Sequence, residues 1–138
     1  MLALTTVLAC HRRKATLAGN DNNRTDRPWG SFFILDDQKT AKVKRLLVNP
    51  GERLSLQSHT QRDEHWVIIR GIATVTLDDI ERDYGYGEYV YVKRGTKHRI
   101  SCRGKEPVEL IEVQVGNSFD EDDITRYSDD YGRAGTVG

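Results

Sequence analysis

Short apolar or alternating runs recur along the chain from Arg27 onward, and Gly, Pro, Asp and Asn separate them. In the run at 72–78, the apolar side chains of Ala73, Val75 and Leu77 alternate with polar ones, which is the period of a strand with one buried face. The predicted strands are residues 31–36, 42–48, 53–59, 65–70, 72–78, 88–92, 98–102 and 108–115. Many short strands at near-regular spacing, without a convincing helical period, predict an all-β sandwich or barrel.

The two ends of the chain differ in composition from this central part. Residues 1–26 finish in a polar, turn-rich run and predict a flexible N-terminal lead-in. Residues 27–133 are expected to form the single domain that a chain of 138 residues builds, and residues 134–138 are a C-terminal tail. The acidic stretch after Phe119 predicts one helical turn or a segment that drapes over the barrel.

Charge and cysteine content exclude several classes of function. The 21 basic side chains equal the 21 acidic ones, so no overall basic charge attracts nucleic acid or an anionic membrane. Cys10 and Cys102 do not make a disulfide framework or a zinc cluster. No stretch of the sequence has the length of a membrane span. These features predict a protein of the reducing cytoplasm.

A candidate metal site begins in the segment 51–71. Alternate side chains of a strand share a face, so Gln57 and His59 point the same way. The four residues after His59 can turn the chain, and Glu64 then opens the returning strand, while His98 offers a fourth ligand from a later strand. This mixed nitrogen and oxygen set suits one divalent Zn, Mn, Co, Ni or Fe ion, and the lack of thiolates indicates a catalytic site.

These residues and the glycines around them resemble the two motifs of the cupin superfamily. The residues that resemble the first motif are Gly51, Gln57, His59, Glu64 and Gly71. Those that resemble the second motif are Gly87, Gly95 and His98. More narrowly, the chain resembles the C-terminal cupin domain of type II phosphomannose isomerases. The segments that carry this resemblance are RPWGSFFIL (27–35), KVKRLLVNPGERLSLQSH (42–59), EHWVIIRGIATVTL (64–77), RGTKHRI (94–100), PVELIEVQVG (107–116) and EDDITRYSDDYGR (121–133). Thr60 and Gln61 stand where that family often has further histidines, and Lys93 stands where a proline is usual.

The resemblance implies a double-stranded β-helix, or jelly-roll barrel, that binds a divalent metal and interconverts mannose 6-phosphate and fructose 6-phosphate. It also implies that Gln57, His59, Glu64 and His98 are the metal ligands. In that family the domain usually follows a mannose-1-phosphate guanylyltransferase domain, which is not seen in this sequence, nor is a Gly-rich phosphate loop. We therefore expect a mannose-6-phosphate isomerase that is not a guanylyltransferase on its own.

Such an isomerisation needs a general base and cations for the substrate phosphate. Glu112 is the candidate base. On a strand it shares a face with Val108, Leu110 and Gln114, and that face could be the barrel interior. The alternative is a solvated or salt-bridged glutamate. The candidate phosphate ligands are Lys44, Arg62, Arg99 and Arg133. For each of these cations taken singly, an ordinary solvated charge is the competing interpretation.

Some predicted strands are apolar on both faces, so the face away from the ligands needs a cover. In the strand at 53–59, for example, Leu54 and Leu56 lie opposite the ligand face. The terminal segments or a second subunit would provide this cover, and we expect a homodimer.

Three classes of function remain open at this point. The first is a metal-dependent sugar-phosphate isomerase. The second is a non-catalytic cupin that binds a metal or a sugar and acts with a separate mannose-1-phosphate guanylyltransferase. The third is another cupin enzyme, such as an iron(II) dioxygenase, on the same ligand set. The fold by itself does not separate them.

Overall fold

The computed structural model describes residues 21–135, which form two antiparallel β-sheets around one core. The strands are β1 (Arg24–Arg27), β2 (Gly30–Asp37), β3 (Ala41–Val48), β4 (Leu56–Ser58), β5 (Arg62–Arg70), β6 (Ala73–Leu77), β7 (Ile80–Tyr84), β8 (Tyr89–Val92), β9 (His98–Ser101), β10 (Val108–Gly116) and β11 (Thr125–Ser128). The described helices are two single 3₁₀ turns, Asp21–Asn23 and Glu121–Asp123, so no helix in this part of the chain could span a membrane. The predicted all-β class is confirmed.

The chain passes back and forth between the two sheets. The larger sheet has the order β1–β2–β3–β10–β5–β8, and the smaller sheet has the order β11–β4–β9–β6–β7. From β3 onward each connection either crosses to the other sheet or makes the β6–β7 hairpin. As a result β4 and β9 are neighbours in the smaller sheet, while β5 and β10 are neighbours in the larger one.

The inner face of the larger sheet changes from apolar to polar along β5 and β10. Three cross-strand pairs show this change, namely Ile68 with Leu110, Trp66 with Glu112, and Glu64 with Gln114. The six side chains of these pairs are all buried. Directly opposed residues of an antiparallel pair share a face, so the polar pairs lie next to the core on the inner side. The interior is therefore a packed apolar core at one end and a polar site at the other.

Three strands, β1, β7 and β11, lie outside the set predicted from the sequence. The side chains of β7 are exposed, apart from half-buried Tyr84, so this edge strand lacks the alternation that a buried face produces. It pairs with β6 through a turn in which Asp78 has a φ of 51°. The acidic segment predicted to form a helical turn or a drape contains the second 3₁₀ turn, and β11 follows it.

The ends of the domain differ slightly from the predicted boundaries. Strand β1 begins at Arg24, so the last three residues of the predicted lead-in belong to the larger sheet through their pairing with β2. The predicted strand at 53–59 pairs regularly only over β4, with one isolated bridge from Arg53 to Ser101. The rest of the predicted lead-in up to residue 20, and most of the predicted tail, lie outside the described residues.

Candidate active site

Three side chains of the type that binds metals meet inside the barrel. His59 directly follows β4, Glu64 lies in β5, and His98 opens β9. All three are buried, with at most 3% of each residue exposed. One ligand atom from each side chain lies within 4.8 Å of those from the other two. Atoms at this separation can hold one metal ion.

The two histidines present buried ring nitrogens that lack a hydrogen-bond partner. Nε2 of His59 lies 3.0 Å from Oε1 of Glu64, and Nε2 of His98 lies 3.7 Å from Oε2 of the same carboxylate. Neither contact has the geometry of a hydrogen bond. A buried polar atom without a partner is costly, whereas a bound cation would use both lone pairs. The donor set therefore fits a divalent transition metal.

The turn before His98 orients its ring for this role. Nδ1 of His98 lies 2.9 Å from the carbonyl oxygen of Thr96, which only accepts, so Nδ1 donates and Nε2 keeps a free lone pair. In the same turn, Gly95 has a φ of 84°, and its N–H donates to the carbonyl oxygen of His59 over 2.6 Å. Glycine adopts this left-handed conformation without a steric penalty. The turn thus connects the two histidine segments.

The remaining predicted ligand, Gln57, lies beside this group. It is the register partner of His98 across β4 and β9, and it lines the same cavity as Glu64. The hydroxyl of Ser55 lies 2.7 Å from Oε1 of Gln57 and can donate to it. The fold therefore brings the four predicted ligands to one region, and ligation through Gln57 stays a prediction.

A second buried carboxyl, that of Glu112, lies next to Glu64. Nε1 of Trp66 lies 3.2 Å from Oε2 of Glu64 and 3.3 Å from Oε1 of Glu112. Nε2 of Gln114 lies 3.4 Å from Oε1 of Glu64 and 3.3 Å from Oε2 of Glu112. The N–H groups of Trp66 and Gln114 thus bridge the two carboxyl groups. Each contacts one oxygen of Glu64 and one oxygen of Glu112. Glu112 is only 6% exposed, so it is not a solvated glutamate.

Their surroundings give the two carboxyl groups opposite pKa shifts. Burial and the negative charge of Glu64 raise the pKa of Glu112 well above its usual range, although Lys44 opposes this. Burial alone would also raise the pKa of Glu64, but the adjacent imidazole groups of His59 and His98 lower it well below its usual range. Burial lowers the pKa of His98, which favours the neutral imidazole. The environment of the pair therefore favours the ionised form of Glu64 and the protonated form of Glu112.

A cavity lined by many cations leads to this pair. Glu64, Glu112 and Gln114 form part of its wall. The cations that line it are Arg27, Lys44, Arg62, Arg126 and Arg133. Three of the four predicted phosphate ligands are among them. Arg62 is also buried, and its Nε lies 3.3 Å from Oε1 of Glu64. It therefore directly contacts one of the three candidate metal-binding side chains.

The fourth predicted phosphate ligand, Arg99, has other partners. Its Nε donates to the carbonyl oxygen of Leu54 over 3.0 Å, and its Nη2 donates to the carbonyl oxygen of Ser128 over 2.9 Å. These bonds connect β9 to the segment before β4 and to the end of β11. Arg99 lines only a small inner cavity, so we do not retain it among the proposed phosphate ligands.

The sequence analysis missed two of the cavity cations, Arg27 and Arg126. Arg126 is 8% exposed, and its buried Nε has no hydrogen-bond partner. The nearest described carboxylate is that of Glu121, whose Oε2 lies 3.7 Å from Nη2 of Arg126. A signal existed, because buried Ile124 and Arg126 alternate with exposed residues along β11. It was hidden because a buried arginine does not count as an apolar position.

Comparison with known proteins identifies the family. Residues 16–129 match the family described as mannose-6-phosphate isomerase C-terminal. The chain belongs to this family. The mannose-1-phosphate guanylyltransferase of Escherichia coli K12 is 44% identical over 107 residues, which cover 78% of this chain and 22% of that protein. The alginate biosynthesis protein AlgA of Pseudomonas aeruginosa is 45% identical over the same shares of both chains. The chain thus spans about a fifth of the length of these relatives.

These relatives correct one prediction made from the sequence. The sequence analysis expected a mannose-6-phosphate isomerase that is not a guanylyltransferase on its own. That expectation is wrong, because relatives that match most of the chain are named mannose-1-phosphate guanylyltransferases. The guanylyltransferase name and the isomerase name therefore occur together in this family, and AlgA and the xanthan protein XanB connect it to polysaccharide biosynthesis.

Solved structures confirm the fold of this family member. The cupin domain of Schizosaccharomyces pombe Cnp3 superposes with a TM-score of 0.61 at 18% identity, covering 62% of this chain and 64% of that one. A Klebsiella pneumoniae protein with a double-stranded β-helix domain also gives a TM-score of 0.61, at 16% identity, covering 74% of this chain and 84% of that one. The predicted cupin double-stranded β-helix is therefore confirmed.

Proposed function

We propose that this cupin domain interconverts mannose 6-phosphate and fructose 6-phosphate with the help of one divalent metal, alongside a mannose-1-phosphate guanylyltransferase. The family description and the names of the relatives support this choice of substrate and partner. The observation that carries the proposal is the buried carboxyl pair. Glu64 lies beside two histidines, and both Glu64 and Glu112 line a cavity that carries several cations.

Aldose–ketose isomerisation moves a proton between adjacent carbons, and Glu112 is placed to carry that proton. Its raised pKa makes the ionised group a stronger base than an ordinary carboxylate. Trp66 and Gln114 each direct an N–H donor at it, so they hold the carboxyl without competing for its proton. A divalent metal held by His59, Glu64 and His98 would supply positive charge that stabilises the oxyanion of an enediol.

The cations of the cavity suit the phosphate of the substrate. Lys44 and Arg27 flank the ring of Phe32, with Nζ of Lys44 4.7 Å and Cζ of Arg27 5.4 Å from the ring centre. Arg126 contributes a buried Nε without a hydrogen-bond partner. Guanidinium groups bind phosphate oxygens in pairs, and charge-assisted hydrogen bonds strengthen where water is excluded.

The decisive test is a coupled isomerase assay with mannose 6-phosphate, in which metal-free protein is reloaded with Zn, Mn, Co, Ni or Fe(II). We expect turnover with at least one metal and none in chelator. Binding of metal and sugar phosphate without turnover would favour the non-catalytic cupin that acts with a guanylyltransferase. Oxygen uptake with Fe(II) and a small organic substrate would favour the dioxygenase.

Replacing Arg126 with methionine should weaken substrate binding more than it slows the chemical step. The loss of a charged hydrogen bond to phosphate is expected to raise KM for mannose 6-phosphate about 10- to 100-fold, with a smaller change in kcat. Steady-state kinetics give both constants. Arg103→Met is the control, because Arg103 is exposed and pairs with Glu81 away from the cavity. An equal effect of both substitutions would contradict the role of Arg126.

We also propose that the outer face of the larger sheet binds a second copy of the chain. Two cross-strand rows lie on this face, the first made of Ile111, Val67 and Tyr89 and the second of Val113, His65 and Tyr91. In these rows Val67 is 39%, Tyr89 53% and Tyr91 46% exposed. Exposed apolar side chains in adjacent rows are typical of an interface. The rows face away from the cavity, so a dimer would leave it open.

The double substitution Val67→Lys with Tyr91→Lys should convert this dimer to a monomer. Two like charges on each subunit would repel each other across a symmetric interface. Light scattering over a range of protein concentrations reports the mass. Ile80→Lys is the control, because Ile80 is 72% exposed on β7 in the other sheet. A monomeric parent protein at every concentration would rule out this proposal.

A further inference from the structure

The segment that follows β10 runs along the cavity and supplies part of its wall. We call residues 117–135 the strap. It contains the second 3₁₀ turn and β11. Four of its side chains line the cavity, those of Glu121, Ile124, Arg126 and Arg133. The position of the strap therefore decides where two of the five cavity cations lie.

One carboxylate of the strap, that of Asp123, binds the turn between two metal-ligand residues. Oδ1 of Asp123 accepts from the hydroxyl of Thr60 over 2.6 Å and from the N–H of Thr60 over 3.1 Å. Oδ2 accepts from the N–H of Gln61 over 2.9 Å. These residues directly follow His59 and precede Glu64. Both oxygens of one side chain are thus used to connect the strap to this turn.

The ionised form of Asp123 is favoured at this position. Partial burial alone would raise the pKa of Asp123, but the hydrogen bonds from Thr60 and Gln61 more than offset this and hold it below its usual range. Hydrogen bonds to a charged acceptor are about twice as strong as neutral ones.

Two further bonds attach the strap to the same turn. The N–H of Asn117 donates to the carbonyl oxygen of Gln61 over 3.0 Å, and Nη1 of Arg62 donates to that of Asp120 over 3.2 Å. At the far end, the carboxylate of Asp130 pairs with Arg53. Asp123 lies three residues before Arg126, which is the register partner of Gln57 between β11 and β4. Its attachment to the turn therefore fixes the part of the strap that leads into β11.

We propose that Asp123 is a positioning residue that, through Thr60 and Gln61, holds the strap against the cavity so that Arg126 faces the phosphate of the ligand. This inference rests on the proposed function only for the identity of the ligand, which is a sugar phosphate. Glu64 and His98 lie in paired strands and Gly95 holds the segment of His59, so these three metal-binding side chains are positioned independently of Asp123. Loss of the contact should weaken phosphate binding and leave metal binding intact.

Four variants of the full chain separate this role from general stability. Asp123→Asn keeps the shape of the side chain but turns an N–H₂ group towards one of its two N–H partners. Asp122→Asn removes the same charge at the exposed neighbouring residue and is the matched control. Thr60→Val removes the hydroxyl while keeping the shape, and Thr60→Ser keeps a hydroxyl at this position.

Three measurements are made on each variant. Titration calorimetry gives the affinity for inorganic phosphate, metal titration gives the affinity for the metal, and amide hydrogen exchange reports the strap. In Asp123→Asn we expect phosphate affinity to fall about 10-fold and exchange over residues 118–128 to rise. In Thr60→Val we expect phosphate affinity to fall about 3-fold, whereas Thr60→Ser should keep the affinity of the parent protein. Metal affinity should stay within about twofold in all four variants.

Two results obtained with the variants would overturn the inference. The first is strap exchange and phosphate affinity in Asp123→Asn that match those of Asp122→Asn. The second is a parallel loss of metal affinity, which would mean that Asp123 supports the whole site. A parent protein that binds phosphate and shows the expected losses, yet does not isomerise mannose 6-phosphate, would reject the proposed function and leave this inference standing. If the parent does not bind phosphate, the inference fails, and mannose 6-phosphate turnover tests the isomerase separately.

Discussion

Replacing His98 with alanine is expected to abolish both metal binding and isomerase turnover. The imidazole supplies one of three buried ligand atoms that lie within 4.8 Å of one another. Its Nδ1 is already used by the carbonyl oxygen of Thr96, so Nε2 has no alternative partner among the described residues. Removing a group that merely supports a ligand costs roughly 10- to 100-fold in metal affinity, and loss of the ligand itself should exceed this.

Metal content after dialysis and the metal-induced rise in Tm measure this effect without relying on turnover. A bound metal stabilises the folded protein in proportion to the logarithm of its concentration over Kd, so the variant should show no rise. His65→Ala is the matched control, because His65 stacks on Tyr89 and Tyr91 on the outer face of the larger sheet. If His98→Ala retained a full equivalent of metal with unchanged affinity, the assigned metal site would be wrong.

Replacing Glu112 with glutamine is expected to remove turnover while metal binding persists. Glutamine keeps the size of the side chain and can still accept from Trp66 or Gln114, but it cannot carry the proton of the isomerisation. General acid–base catalysis contributes about 100- to 10,000-fold, and kcat should fall by that factor. Steady-state kinetics and metal titration on the same preparation separate the two effects.

Glu109→Gln is a control from the same strand. Glu109 is also buried on β10, but it pairs with Arg45 and does not line the cavity. Its replacement should lower stability without lowering kcat. Equal losses of kcat in both variants would show that the carboxyl of Glu112 has no particular part in the reaction.

The same Glu112→Gln substitution should change how stability depends on pH in metal-free protein. The pKa of Glu112 is raised in the folded state above its ordinary value of 4.5, so the folded protein retains a proton that the unfolded chain releases. Stability from this group is therefore fully present below that value and is lost as pH rises towards the folded pKa, by roughly tenfold in the folding equilibrium per pH unit.

Thermal unfolding from about pH 5 to about pH 9 tests this sign. The Tm of Glu112→Gln relative to the parent protein should rise steadily with pH. Glu64 does not mask the effect, because its lowered pKa places its own contribution at acidic pH, where stability is lost as pH falls. A constant difference in Tm across this range would be inconsistent with a protonated Glu112.

The local sequence was sufficient to predict the strands that have one buried face. The alternation at residues 72–78 and the apolar run at 108–115 correspond to β6 and β10. The largely exposed β7 gave no such signal, because neither of its faces is buried against the core. Strand β11 was hidden for another reason, since the side chain that points inward from it is the arginine of residue 126.

The sequence by itself determined the residue types of the metal group and the strand-turn-strand spacing that places His59 near Glu64. These follow from the two-residue period of a strand and from turn chemistry, which act over a few neighbouring residues. Only the tertiary structure decided that Glu112 shares two N–H donors with Glu64, that Arg126 enters the cavity, and that Arg99 binds main-chain carbonyl groups instead. Those outcomes depend on cross-strand register and on contacts between distant segments, and the polarity of a single side chain carries no information about either.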